Sequence, residues 1–113
     1  MTSEQATPGP GDVAVHDRPD RSRFELIVDG EPAGHLQYRR EGSLFALPHT
    51  EVEPRFGGRG LGGRLVAAAL DDLRSRNAQV LPDCPFVAHF IRAHGDYADL
   101  VPVAERSRYG IDG

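Results

Sequence analysis

Within Arg55-Phe56-Gly57-Gly58-Arg59-Gly60-Leu61-Gly62-Gly63, five glycines and two arginines lead directly into the apolar run Arg64-Leu65-Val66-Ala67-Ala68-Ala69-Leu70. Glycine has no Cβ, so a ligand can approach the main chain closely and φ can be positive. A helix starting at this point offers unpaired N–H groups and the positive end of its dipole. A glycine-rich loop feeding a helix N-terminus is a cradle for a phosphate or pyrophosphate. Three further side chains have types that can do chemistry. Cys84 is the only cysteine of the chain. It stands where a helix start would favour its thiolate, either as a nucleophile or, more blandly, as a small buried side chain. His49 and Glu51 lie two apart, on one face of a strand, and each is a candidate general base. Their alternatives are a solvated histidine and a surface acid.

The spacing narrows the phosphate carrier. A P-loop needs Lys-Ser or Lys-Thr after its last glycine, and neither dipeptide occurs. Gly58-x-Gly60-x-x-Gly63 fits a dinucleotide fingerprint, with Asp83 twenty residues beyond. The chain after Gly63 is too short, however, for the repeated β-α-β units of a dinucleotide crevice.

The elements around the loop follow from periodicity. Phe24, Leu26 and Val28 alternate with Arg23, Glu25 and Asp29, which predicts a strand over 23–28. Asp29-Gly30 predicts a hairpin, and Glu31-Pro32 lengthens the expected turn. A second strand is predicted over 33–39 and a third over 43–52, bent near Pro48, which has no N–H to donate. Gly60–Arg76 is predicted as a helix with an apolar stripe of Leu61, Leu65, Ala68, Ala69 and Leu73. A short strand over 78–81, a helix over 85–94 and a last strand over 100–103 complete the series. The expected fold class is α/β (α+β): a mainly antiparallel sheet of four to five strands with two helices. Residues 1–20, rich in Pro, Gly and acids, are expected to be a disordered tail whose deletion costs little stability. The domain is expected over 21–105, with a flexible C-terminus over 106–113.

The loop also has the form Arg55-x-x-Gly58-x-Gly60, after a bent strand and before a helix. With His49-Thr50-Glu51-Val52 before it, and Cys84-Pro85-Phe86-Val87 and Ile91-x-x-His94-x-x-Tyr97 after it, the chain resembles a small single-domain branch of the GNAT superfamily of N-acetyltransferases. The likeness runs from Phe24 to Val101. It implies a minimal GNAT-like fold that binds acetyl-coenzyme A as co-substrate. Main-chain N–H groups of Gly57, Gly58, Arg59, Gly60, Leu61 and Gly62 would hold the pyrophosphate, with Arg55 and Arg59 adding charge-assisted contacts. The pantetheine arm would run beside Val52 like an added strand, and Cys84 and Phe86 would lie near it. The resemblance further implies acetyl transfer to an amine, with Cys84, Glu51 and His49 as the catalytic candidates. Tyr97 is a weaker candidate acid. Phe90 stands where the branch often has tyrosine, and Gly95-Asp96 where Pro-Glu is common.

Composition sets the outer bounds. At 113 residues and a net charge of −4, the chain is expected to be one small acidic domain, with nucleic acid a poor partner. No apolar run approaches a membrane span of roughly 20 residues. A basic, apolar leader is also missing, so a cytoplasmic location and no membrane partner are expected. The scattered histidines, with His89 and His94 five apart, predict no metal site. The resemblance brings extra N-terminal helices that usually build the acceptor side, and no residues are left for them here, so that side is expected to be open. A protein amine, a polyamine or a completing partner would then fit, and the chain itself would be a monomer or weak dimer. A module that binds acyl-coenzyme A without efficient turnover is the alternative.

Overall fold

The computed structural model describes residues 12–111. Five strands lie in the order β1-β2-β3-β4-β5: β1 Val13–Arg18, β2 Arg23–Val28, β3 Glu31–Glu41, β4 Leu44–Val52 and β5 Gln79–Leu81. The first four run antiparallel and β5 runs parallel to β4. Parallel strands need a crossover, and α1, Leu61–Ser75, supplies it. After β5 comes α2, Pro85–Ala93, with Pro85 in its first turn, where a missing N–H costs little. The result is the mixed α/β sheet with two helices that the periodicity predicts.

Local sequence explains most of these boundaries. Asp29 and Gly30 both have positive φ, 51° and 82°. Val28 pairs directly with Glu31, so the hairpin closes in two residues, tighter than expected. Phe24, Leu26 and Val28 are fully buried against α1, which packs with Leu61, Leu65, Val66, Ala69, Leu70 and Leu73. Val66 and Leu70 are part of the buried stripe; Ala68 is only partly covered.

The pairing of β3 with β4 slips at one point. Gln37 faces His49, but Arg39 faces Ala46, so Tyr38 opposes both Leu47 and Pro48. This is a bulge on β4, and it falls at the one residue with no N–H to contribute. The extra residue inverts the alternation. Phe45 and Leu47 point into the core before it; after it, Thr50 and Val52 lie on the core side and His49 and Glu51 on the opposite, solvated face.

Three expectations are corrected. The tail over 1–20 is not wholly disordered, because Val13–Arg18 forms β1 along the edge of β2; the part over 1–11 lies outside the described residues. Val13 and Val15 pack against the core. Asp17 accepts a hydrogen bond from the Tyr38 hydroxyl at 2.8 Å and pairs with Arg76 at 3.1 Å. The C-terminal segment is also ordered as far as Ile111, which is buried; residues 112–113 lie outside the described residues. It folds as a 3-10 helix, Val103–Tyr109, tied down by Arg92 donating to the Tyr109 carbonyl at 2.7 Å. No strand forms over 100–103. The chain there passes from a 3-10 helix, Gly95–Leu100, through Pro102 into the next one, and Pro102 cannot donate to a ladder.

Asp17→Ala is therefore expected to destabilise the fold by roughly 1–3 kcal/mol, the cost of leaving a buried donor unpaired. A thermal melt showing no change would mean β1 is not docked. Burial, with help from Asp17, also pushes the Tyr38 hydroxyl up to about 12 from its ordinary 10.0. The native state holds that proton while the unfolded chain loses it. Stability is thus complete below pH 10 and falls as pH rises towards 12, as alkaline melts would show.

Candidate functional site

The site starts where β4 and β5 part. Their pairing ends at Ala46 with Leu81. One more contact, Cys84 N–H donating to the Leu47 carbonyl at 2.8 Å, steers the chain into α2. Beyond it β4 runs on to Val52 with no strand on that side among the described residues. Glu53 N–H donates to the Ala33 carbonyl at 2.8 Å, towards β3. Strand alternation therefore aims the N–H and C=O of Thr50 and Val52 the other way, into the gap.

That gap is a cavity of about 200 Å³ lined by Thr50, Val52, Gly62 and Phe86. Gly62 lies in the first turn of α1 and Phe86 at the start of α2, so two helix N-termini meet at one wall. A Cβ on Gly62 would stand 3.0 Å from the Phe86 ring, so glycine is what lets the helices approach and leaves the cavity open. Cys84 is buried behind this wall, its Sγ 3.5 Å from the Thr50 hydroxyl.

The loop between β4 and α1 is a 3-10 turn, Pro54–Phe56, followed by Gly57 to Gly60. Gly58 and Gly60 have φ of +78° and +71°, values that favour glycine. Gly60 caps α1 with no side chain, and the first turn carries no acid. The chain's own side chains therefore leave the first N–H groups of α1 unpaired, a donor set suited to an anion. Arg59 lies 5.8 Å over the Phe56 ring and has no ion pair among the described residues. Arg55 is different. It pairs with Glu31 at 2.8 Å and Glu53 at 3.4 Å, and stacks on Phe56 at 4.4 Å, fastening the loop to the β2–β3 turn.

Of the residues singled out in the sequence, Val52, Gly62 and Phe86 meet at the cavity, Cys84 lies behind it, and Gly57 to Leu61 lie in the loop that leads into α1. His49 and Glu51 stand on the other face of the same strand, 3.1 Å apart from Nε2 to Oε1. The hydrogen bond from His49, assisted by the field of His35, holds the Glu51 carboxyl below the usual range. Tyr97 is turned away: its hydroxyl donates to Asp71 on α1 at 2.8 Å. Sequence reasoning missed Thr50 as a lining residue and Tyr109, which donates to Asp83 at 2.5 Å beside Cys84. Strand alternation puts Thr50 on the side of Val52, which is the available signal. Nothing local in the sequence foretold Tyr109.

Comparison with known proteins fits this arrangement. A family model described as GCN5-related N-acetyl-transferase matches residues 23–100. The solution structure of a GCN5-like chain from Staphylococcus aureus aligns over 84% of this chain and 91% of its own, with a TM-score of 0.61 and 21% identity. At that identity it shows a shared fold. A GNAT-family acetyltransferase from Brucella melitensis, solved with acetyl-CoA, aligns over 60% of this chain and 50% of its own, at 26% identity and a TM-score of 0.48. No curated protein matches the sequence. None of the described helices is long and apolar enough to cross a membrane.

Proposed function

The chain belongs to the GCN5-related N-acetyltransferase family, and from that premise we propose that it transfers the acetyl group of acetyl-coenzyme A to a primary amine on an exposed, positively charged acceptor, a protein amine foremost. The observation that carries this reading is the uncapped, acid-free N-terminus of α1 opening beside the cavity of Thr50, Val52, Gly62 and Phe86. Pyrophosphate would take the free N–H groups from Gly57 to Gly62, with Arg59 as its cation. The pantetheine would pair with the outward main-chain groups of Thr50 and Val52 as an added strand does, against Phe86.

The chemistry needs a neutral amine, a polarised carbonyl and a path for the proton. The neutral amine attacks the thioester carbon, the C–N bond forms, the C–S bond breaks, and coenzyme A leaves as a thiolate that takes up, through water, the proton shed by the nitrogen. One of these outward N–H groups, of Thr50 or Val52, would stabilise the developing oxyanion. Glu51, ionised at neutral pH, attracts the ammonium form and takes its proton through water. The face carrying Glu51 is polar and open, with Arg23, Glu25, His35, Gln37 and His49 around it, which suits a large acceptor.

Calorimetry with acetyl-coenzyme A, coenzyme A and NAD tests the cofactor. Binding of the coenzyme A pair without NAD supports the reading, and binding of NAD alone overturns it. Buried Cys84 is assigned to packing under Thr50, so transfer is direct. Cys84→Ala is expected to keep turnover within about tenfold, whereas deleting an obligate nucleophile costs roughly 10⁶-fold. An acetyl adduct on Cys84 by mass spectrometry would reverse that assignment.

A further inference from the structure

The solvated face of the sheet brings together three ligand-bearing side chains that no sequence spacing reveals. His35 on β3 stands directly opposite Glu51 on β4, and His49 lies two residues before Glu51 on the same face. Their ligand atoms all lie within 4.8 Å of one another. His49 Nε2 and Glu51 Oε1 are 3.1 Å apart, and the two imidazole rings are 5.9 Å apart. Ligands about 2.0–2.1 Å from a tetrahedral ion stand roughly 3.3 Å from each other. One pair already meets that spacing, and rotation of the partly buried His35 about its side-chain bonds would bring in the third.

We propose that His35, His49 and Glu51 form a solvent-accessible site for a divalent transition-metal ion of the zinc type. Two imidazoles and one carboxylate with an open fourth position suit zinc, while magnesium and calcium prefer all-oxygen sets. A neighbouring hollow of about 150 Å³ is lined by Glu25, Glu51 and Glu53. Glu25 is taken by Arg18, Arg21 and Arg23, and Glu53 by Arg55, which leaves Glu51 as the carboxylate there without an arginine partner. The acetyltransferase fold itself implies no metal, so the site is a feature of these side chains. Its consequence rests on the proposed function: a bound ion occupies the carboxylate that takes the amine proton, and acetyl transfer stops.

Titrating the untagged full-length protein with zinc chloride, without coenzyme, tests the site apart from the enzyme reading. One ion per chain is expected, with magnesium chloride giving no heat. His35→Ala, His49→Ala and Glu51→Gln should each weaken zinc binding by at least about 10–100-fold, the loss that removing even an outer partner brings. Unchanged affinity in the two histidine variants, or no binding by the wild type, overturns the site. Histidine-ring NMR gives a readout independent of any variant's folding: His35 and His49 should shift with zinc while His16, His89 and His94 do not, and the reverse pattern refutes the assignment. In the acetyl-transfer assay zinc should inhibit the wild type and spare His35→Ala. Equal inhibition of both removes the control role and leaves the binding result standing.

Discussion

Gly60→Asp is expected to abolish binding of acetyl-coenzyme A while leaving the protein folded. Gly60 has a φ of +71°, and an added Cβ there meets nothing within 4 Å. Aspartate is among the few side chains that tolerate this conformation. Its carboxylate at the positive end of α1 even offsets part of the strain, by about 0.3–1 kcal/mol. The same carboxylate fills the anion position and satisfies the donors that a pyrophosphate would take. Binding should weaken by 100-fold or more, about 2.7 kcal/mol or above at roughly 1.4 kcal/mol per decade, with the melting temperature within a few degrees of wild type. Calorimetry beside a thermal melt reads both. Retained tight binding would remove the loop from the coenzyme site.

Glu51→Gln is expected to cost about 10²-fold in kcat with little change in the KM for acetyl-coenzyme A. The low end of the usual 10²–10⁴ range for a general base applies, because the His49 hydrogen bond lowers the Glu51 pKa and makes it a weak base. The sign of the pH effect follows. The carboxylate is already ionised at pH 7, so its contribution to the rate persists above the usual carboxylate range and is lost only as pH falls through its depressed pKa. The rise in rate at higher pH belongs to the acceptor amine. Wild-type kcat in the variant would assign the proton to water alone.

What the sequence made legible was what single segments dictate. The glycine loop, the Asp29-Gly30 hairpin and the apolar stripe of α1 each follow from a local rule, and each stands where that rule puts it. Strand alternation also paired His49 with Glu51 and set Thr50 and Val52 on the opposite face. What stayed hidden depends on partners far along the chain. Val13 and Val15 are too few to mark a strand until Val28 and Leu26 pair with them. Asp83 draws Tyr109 from a segment that reads as frayed. His35 comes to Glu51 only through the β3–β4 register. Arg55 reads as a phosphate ligand because its neighbours Glu31 and Glu53 are distant or unremarkable in sequence, yet they claim it first.

The extra residue at Pro48 makes the site depend on how the strands pair as well as on residue identity. Were the bulge lost and the ladder to run straight with every amino acid kept, the alternation beyond Leu47 would flip. His49 and Glu51 would then turn inward against α1, and Thr50 would turn to solvent. An ionised carboxylate and an imidazole would enter a core in which no charged side chain is buried among the described residues. Related chains should therefore either keep the bulge or lack its extra residue, since both leave His49 and Glu51 on the solvated face. Other insertions and deletions belong in the β3–β4 turn at Gly42, where the backbone has open space around it.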